Sequence, residues 1–128
     1  MSIYNFPAAA AAAGGTVFKV PTSQTTGTAT TTGKDLSAYT GTALFILQVT
    51  ASATGRTLTG KVQHCDTATT GSYTDVDNGA FSSFSSAQTG LRELALNVDH
   101  LKKYVRISTT VVGNGVTNGA IMEGWKNY

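Results

Sequence analysis

The stretch Asp99-His100-Leu101-Lys102-Lys103-Tyr104-Val105-Arg106-Ile107-Ser108 decides the fold of this chain. It opens with a mainly polar segment that suits a tight corner, and it then alternates between apolar and polar residues. Successive side chains of a β-strand point to opposite faces, so this alternation predicts a strand with Val105 and Ile107 in a core. Arg106 and Ser108 are expected to point outward. The stretch therefore indicates an all-β protein.

The segment leading into this corner admits two interpretations. Residues 91–104 contain good helix formers and have apolar side chains at helical spacing, which favours a helix. The same residues also alternate, which puts Leu94, Leu96 and Val98 on one face of a strand. We expect the strand, with Tyr104 placed where the hydroxyl of a tyrosine corner bonds back to the preceding backbone.

Short apolar or alternating segments recur along the chain, and turns rich in glycine, asparagine and aspartate separate them. Strands at such spacing are typical of sandwiches rather than of βαβ units. We therefore predict an all-β fold, a single antiparallel β-sandwich or jelly-roll-like domain with an extended N-terminal arm. Besides the strand that follows the corner, the predicted strands cover residues 16–20, 42–50, 56–65, 73–76, 90–98 and 120–125.

Some of these segments carry more specific expectations. Pro21 is expected to end the first strand, because proline cannot donate to a ladder. Residues 42–50 are the most apolar run and predict a central strand buried on both faces. Phe81 and Phe84 are three residues apart, which predicts an edge strand or a bulged segment, and residues 77–79 predict a turn.

Residues 1–15 differ from the rest and are predicted to form an N-terminal arm, with the β-sandwich domain covering residues 16–128. Ile3, Tyr4 and Phe6 put three sizeable apolar groups on this arm. A monomer would gain little by exposing them. They are therefore candidate partner-binding residues that dock on a neighbouring subunit, and the alternative is a tail folded back on its own domain.

The alanine run at residues 8–13 has no basic residue ahead of it and is too short to span a membrane. We therefore expect neither a signal peptide nor a membrane anchor. Cys65 is the single cysteine, which excludes an intrachain disulfide. A lone thiol fits synthesis in a reducing cytoplasm.

Charged residues make up 12% of the chain, against about 25% in an ordinary soluble domain. Threonine, serine and glycine hydrate the predicted surface instead, and threonine favours extended backbone. The nine basic and seven acidic residues are scattered, which gives no support for a nucleic-acid partner. The densest basic group, Lys102, Lys103 and Arg106, is interpreted as a solvated strand face rather than an anion site.

The titratable residues do not converge in the way that catalysis or metal binding requires. His64 and Cys65 are neighbours in a predicted strand, so their side chains point to opposite faces and cannot form a nucleophile pair. His100 falls in the corner and is interpreted as an exposed turn residue. One cysteine and two histidines are too few for a structural zinc site. We expect no catalytic residue, no metal and no cofactor.

Two weaker binding candidates remain. Asp75, Asp77 and Asn78 bring oxygens together as ligands of a hard cation do, although turn formation by their side chains is favoured. Tyr73 and Trp125 are candidates for a sugar-binding platform, although packing in a core or an interface is favoured.

Several segments together resemble the head decoration, or cement, proteins of tailed bacteriophages. In that family a strand with a polar end meets a turn and strand of the type Gly-Ser-aromatic-Thr-Asp-Val, which residues 61–66 and 71–76 match. A corner that contains aspartate, leucine and the run Tyr-Val-Arg follows, and residues 99–106 match it. Residues 35–41 add to the likeness, which covers about residues 34–112.

The resemblance implies a virion structural protein on the capsid exterior that binds the lattice of the major capsid protein and stabilises it. It implies no catalytic residues. Together with the apolar arm, it leads us to expect a homodimer or homotrimer that is synthesised in the host cytoplasm. The alternative is an Ig-like adhesion or carbohydrate-binding module on a virion or cell surface. An enzyme would need a convergence of polar groups that the sequence does not contain.

Overall fold

The computed structural model describes residues 15–67 and 72–126, which form two antiparallel β-sheets around a common core. In chain order the strands are β1 (Thr16–Gln24), β2 (Gly27–Thr30), β3 (Lys34–Asp35), β4 (Tyr39–Ala51), β5 (Thr57–Cys65), β6 (Thr74–Ala80), β7 (Gly90–Asn97), β8 (Tyr104–Val112) and β9 (Val116–Lys126). Sheet A has the order β1-β9-β4-β7, and sheet B has the order β2-β8-β5-β6, with β3 also beside β8. The predicted all-β antiparallel sandwich is confirmed.

The connections give this sandwich the wiring of a jelly roll. The chain stays within sheet B from β2 to β3 and from β5 to β6, and it crosses to the other sheet at the remaining connections. The first and last strands, β1 and β9, are therefore neighbours in sheet A. Crossing connections of this kind are those of two interleaved Greek keys.

The first strand is longer than predicted, because β1 continues through Pro21 to Gln24. The pairing of β1 with β9 shifts register between Lys19 and Thr22, so Pro21 lies at an irregularity of an edge strand. Proline is tolerated at edges and bulges, where the ladder does not need its missing N–H. The prediction that Pro21 ends the strand is wrong.

Strand β4 lies between β9 and β7 and is buried on both faces, as predicted. Phe45, Leu47 and Val49 point into the core between the sheets. Ile46 points the other way and forms a second apolar cluster with Ile121 of β9. The outer face of sheet A therefore carries apolar residues of its own.

Strand β8 follows the predicted alternation. Val105 and Ile107 are buried in the core, where Leu58 and Val62 of the neighbouring β5 are also buried. Ser108 lies on the opposite face of β8, but it is only 4% exposed. Thr30 of β2 and Lys61 of β5 are its partners on the two sides.

Phe81 and Phe84 both reach the core from a segment that is not a regular strand. Phe84 is joined to Leu58 by a single bridge, in which each N–H donates to the other carbonyl over 2.9 Å. Because the backbone between them is irregular, residues three apart point the same way, and the alternative of an edge strand is wrong. Residues 77–79 belong to β6 rather than to a turn, with Asn78 at a φ of 58°.

A buried polar cluster lies where the chain crosses from β1 to β2. The side-chain oxygen of Gln24 accepts from Thr109 Oγ1 over 2.7 Å and from Asn118 Nδ2 over 3.1 Å. Gln24 Nε2 donates to the carbonyls of Thr109 and Gly27. Lys19 Nζ donates to Asn118 Oδ1 over 3.0 Å, and burial lowers the pKa of Lys19. The side chain of Gln24 is thus fully satisfied, as burial requires.

Helical structure is limited, in the described residues, to the 3₁₀ turn Val98–His100 before β8. The helix considered for residues 91–104 is not observed, because Gly90–Asn97 form β7. Among the described residues, no helix has the length and apolar character needed to cross a membrane.

The predicted arm, residues 1–15, lies outside the described residues except for Gly15. Its candidate partner-binding residues Ile3, Tyr4 and Phe6 also lie outside them.

Candidate interaction surfaces

The corner between β7 and β8 is held by the side chains of Asn97 and Asp99. Asn97 Oδ1 accepts from the Asp99 N–H over 3.0 Å and caps the 3₁₀ turn. The Asp99 carboxylate accepts from the Gly41 N–H over 3.2 Å and from the Thr40 hydroxyl over 3.3 Å. The corner is therefore attached to the start of β4.

Tyr104 does not form the predicted tyrosine corner. No hydrogen bond joins its hydroxyl to the preceding backbone in the described part of the chain, and Lys103 Nζ lies 5.4 Å from its ring centroid. Hydrogen bonds of the Asn97 and Asp99 side chains hold the corner instead.

His64 completes the corner from strand β5. Its Nδ1 accepts a hydrogen bond from the Lys102 N–H over 3.2 Å. Burial, and then the charge of Lys102, lowers the pKa of His64, which favours the neutral ring that accepts this bond. Cys65 is buried, and its Sγ lies 3.3 Å from Thr67 Oγ1. The two side chains have separate partners, as expected for neighbours in a strand.

A cleft of about 370 Å³ opens between the edge strands β6 and β7, next to the corner. Its lining residues are His64, Asp75, Val76, Asp77, Asn78, Leu96, Asn97, His100 and Leu101. Asp75 is engaged there, because it accepts from Gln63 Nε2 over 2.9 Å and from Lys61 Nζ over 3.1 Å. These two hydrogen bonds lower the pKa of Asp75.

The cleft does not assemble the cation contact considered for Asp75, Asp77 and Asn78. One of its two carboxylates, Asp75, is already paired with Lys61. Within residues 15–67 and 72–126, no three His, Cys, Asp or Glu side chains come together as metal ligands.

The basic residues around the corner are paired rather than gathered into a patch. Lys102 Nζ lies 3.8 Å from an Asp66 carboxylate oxygen, and Lys103 Nζ lies 3.9 Å from one of Asp35. These side chains are all at least 44% exposed, and exposed pairs contribute about 0–1 kcal/mol. This geometry supports the interpretation of a solvated strand face.

Tyr73 precedes β6 of sheet B and Trp125 belongs to sheet A, so the two form no common sugar platform. Tyr73 packs beside sheet B, where the guanidinium carbon of Arg106 lies 4.2 Å from its ring centroid. Trp125 belongs to β9 of sheet A and is 76% exposed.

The two outer faces of the sandwich differ in chemistry. On sheet B, the hydroxyls of Thr28 and Thr110 lie 2.8 Å apart, and Lys61 pairs with Asp75. The outer face of sheet A, which we call the A face, carries a group of apolar residues beside polar ones such as Gln48, Glu93 and Glu123. Its apolar residues are Val17, Leu44, Ile46, Leu91, Ala95, Ile121 and Trp125.

The A face has a covered centre and an exposed end. Ile46 and Ile121 are only 6% and 3% exposed, because Val17, Leu44 and Leu91 pack against them. At the end that carries Trp125, a hollow of about 370 Å³ is lined by Thr42, Leu44, Ala95, Glu123, Gly124 and Trp125. An exposed indole beside an apolar hollow is typical of an interface.

The sequence of β4 contains a signal for this surface. Six of residues 42–50 are apolar, and Leu44 and Ile46 among them alternate with the core-facing Phe45 and Leu47, which predicted burial on both faces of the strand. In a two-layer sandwich only one face of each sheet meets the core. Leu44 and Ile46 therefore predict an apolar area on the outer surface of their sheet.

No protein-family model matches this sequence, and no curated protein sequence matches it. Solved structures share the fold. A chain in the structure of infectious bursal disease virus, Gx strain, is 10% identical with a TM-score of 0.53, and the match covers 89% of this chain and 32% of that one. This chain thus spans about a third of that viral protein.

Two further structures match over most of both chains. A chain of the cowpea mosaic virus top component, a naturally occurring empty particle, is 8% identical with a TM-score of 0.53, and the match covers 88% of this chain and 80% of that one. The SPBc2 prophage-derived protein YomS is 18% identical with a TM-score of 0.51, and the match covers 84% of this chain and 91% of that one.

These comparisons define the class of fold. The chain is a jelly-roll sandwich of the kind found in chains of these two viruses and in a prophage-derived protein. One such fold hosts many functions, so identities of 8–18% establish the architecture alone.

Proposed function

We propose that this protein is a virion structural protein that decorates a bacteriophage capsid and stabilises it by binding the lattice of the major capsid protein. The observation that carries the proposal is the jelly-roll wiring of sheets A and B. The chain shares this fold with viral capsid proteins and with most of the length of a prophage-derived protein. The resemblance of residues 34–112 to head decoration proteins supports the same role.

Such a protein acts through binding free energy. A ligand that binds only the assembled lattice stabilises it by mass action, by about 2.7 kcal/mol per site at a hundredfold excess over Kd. Many copies and a tethered arm raise the effective concentration of each contact. Weak individual contacts then suffice to hold the shell.

In this proposal residues 1–15 are an arm and residues 16–128 are the body of a homodimer or homotrimer on the capsid exterior. Ile3, Tyr4 and Phe6 anchor the arm to neighbouring subunits. Burial of three such side chains supplies about 1.5–3 kcal/mol each.

The proposal includes no catalytic role. His64 is bound to a backbone N–H, Asp75 is paired with Lys61, and Cys65 is buried. The contacts of these three side chains support structural roles for them.

Occupancy on capsids tests the proposal. Full-length protein is added to capsids, lacking it, of the phage whose genome encodes the chain, and sedimentation removes unbound protein. We expect saturable binding at a fixed number of copies per capsid, and a higher temperature of capsid disruption. Absence of binding, or binding that does not saturate, would overturn the proposal.

The role of the arm is tested with the same particles. The combined change Ile3→Ser, Tyr4→Ser and Phe6→Ser should lower the number of copies retained. The matched control changes alanines of the same arm, Ala8→Ser, Ala10→Ser and Ala12→Ser, and should keep the wild-type occupancy. Equal occupancy of both variants would refute the arm's role.

A further inference from the structure

Part of the apolar surface of the A face is exposed to solvent. Trp125 is 76% exposed beside the apolar hollow, while the outer face of sheet B carries the Thr28–Thr110 hydroxyl pair and the Lys61–Asp75 ion pair. Contiguous apolar surface on a protein marks a binding site more often than scattered apolar residues do.

The chain enters the sandwich next to this hollow. Thr16, the first residue of β1, pairs with Met122 of β9. Beyond Met122, strand β9 continues to pair with β4, where Trp125 is opposite Thr40. On its β1 side, no strand of the described residues pairs with β9 beyond Met122. The residues before Gly15 therefore join β1 at the end of the A face that carries Trp125.

The preceding segment is long enough to reach any part of the A face. Fourteen extended residues span about 46–50 Å at roughly 3.3–3.6 Å each. The four strands of sheet A extend over about 15 Å, since neighbouring strands are roughly 4.8 Å apart.

Charge favours this segment over a second copy of the same face. Glu93 and Glu123 are the charged side chains on the A face within residues 15–67 and 72–125. Two A faces packed together would bring these acidic residues near each other, which opposes the contact. Residues 1–14 contain no acidic or basic side chain and bring Ile3, Tyr4 and Phe6.

We infer that the A face is the docking site for residues 1–14 of this chain, with the hollow beside Trp125 receiving one of the arm's large apolar side chains. The inference rests on the arm of the proposed function and names the surface that receives it. In the isolated protein the tether supplies an effective concentration in the millimolar range, so each arm covers its own A face. On a capsid, the same contact made to a neighbouring copy joins the copies.

Trp125 is the single tryptophan of the chain, so its fluorescence reports directly on this site. In the full-length protein we expect Trp125 to be shielded from acrylamide. The arm variant Ile3→Ser, Tyr4→Ser, Phe6→Ser should raise the quenching constant by about twofold and shift the emission to longer wavelength, as for an indole that moves into water. The alanine control variant should match the wild type, and circular dichroism should show the same strand content in all three.

A peptide of residues 1–14 added to the arm variant should restore the shielding. Shielding that is independent of protein concentration supports docking within one chain, and shielding that grows with dimer formation supports docking between copies. Equal quenching of the wild type and the arm variant would overturn the inference. Shielding that persists in the arm variant and is lost on dilution would also overturn it, because a second A face would then be the occupant.

The quenching test of the docking site and the capsid-binding test of the proposed function can give independent results. If the arm substitutions lower capsid occupancy but leave Trp125 equally accessible, the A face is not the docking site, and the decoration role stands. If Trp125 is shielded by the arm but the protein does not bind capsids, the docking site stands without the decoration role.

Discussion

Gln24 and Thr109 join the two sheets of this sandwich through a hydrogen bond of 2.7 Å between Gln24 Oε1 and Thr109 Oγ1. Gln24 belongs to β1 of sheet A, and Thr109 belongs to β8 of sheet B. Gln24 Nε2 also donates to the Thr109 carbonyl over 3.0 Å. The pair therefore makes two bonds across the interior and sets the position of the edge strand β1 over sheet B.

Gln24→Leu should lower the free energy of unfolding by about 2–4 kcal/mol. The leucine fills the space but leaves the Thr109 hydroxyl and the Asn118 amide without this acceptor, and each buried group left unsatisfied costs about 1–3 kcal/mol. Urea unfolding of the two proteins measures the difference. Thr28→Val is the control, because the Thr28 hydroxyl makes its side-chain bond on the exposed face of sheet B, where a change within about 0.5 kcal/mol is expected. An unchanged midpoint for Gln24→Leu would contradict the structural role of the pair.

The stability of the fold should fall below about pH 6.5 in a way that depends on His64. Burial and Lys102 lower the pKa of His64 in the folded state, whereas the unfolded chain has a value of about 6.5. A group whose pKa is lower in the folded state contributes its stability above the unfolded value and loses it as the pH falls through the folded value. The wild type should therefore lose more stability than His64→Gln when urea unfolding is compared at about pH 7.5 and pH 5.

The control for this prediction is Thr28→Val, which changes no titratable group and lies on the exposed face of sheet B. It should keep the wild-type dependence on pH. The carboxyl groups of Asp35 and Asp75 have lowered pKa values, so their protonation occurs below this range and does not obscure it. Equal slopes for the wild type and His64→Gln would show that the Lys102 contact does not contribute.

Asn97→Ala should cost about 1 kcal/mol, whereas Tyr104→Phe should change stability by less than about 0.5 kcal/mol. Asn97 caps the 3₁₀ turn, but the Tyr104 hydroxyl makes no bond to the preceding backbone in the described part of the chain. Thermal or urea unfolding of the two variants measures the contrast. The reverse order would restore the tyrosine corner that we expected from the sequence.

Gly113→Ala should destabilise the fold more than Gly55→Ala. Both glycines have a left-handed backbone, with φ of 88° and 80°, which costs about 1–2 kcal/mol for an L residue. A Cβ at Gly113 would also lie 2.8 Å from Arg56 Cγ and 3.0 Å from its Cα, whereas nothing lies within 4 Å of a Cβ at Gly55. Equal losses of unfolding free energy for the two variants would show that Arg56 moves away from the added Cβ without destabilising the fold.

The sequence correctly predicted those strands whose tertiary contacts follow the local pattern of apolar and polar residues. The alternation of β8 holds in the structure, and so does the burial of β4 on both faces, at residues 45–49. Prediction was wrong where a tertiary contact overrides the local signal. Pro21 does not end β1, because β1 is an edge strand with a register shift at that point.

In the candidate sites, too, some features follow from the local sequence and others depend on tertiary contacts. The strand position of His64 predicted that it does not pair with Cys65, but its contact with the Lys102 N–H, 38 residues away, needs the tertiary structure. The A face combines residues from β1, β4, β7 and β9, which no local pattern places side by side. The arm residues Ile3, Tyr4 and Phe6 remain a prediction.

The sequence by itself determined that this chain is all β, because side-chain alternation with a period of two is a local property of the backbone. It also predicted that β4 is buried on both faces, because six of residues 42–50 are apolar and include neighbours such as Phe45 and Ile46; residues 45–49 are buried in the structure. Only the tertiary structure decided that β1 lies beside β9, that Gln24 meets Thr109, and that Trp125 lies beside an apolar hollow. These contacts join residues far apart in the chain, and the packing of two sheets around one core selects them.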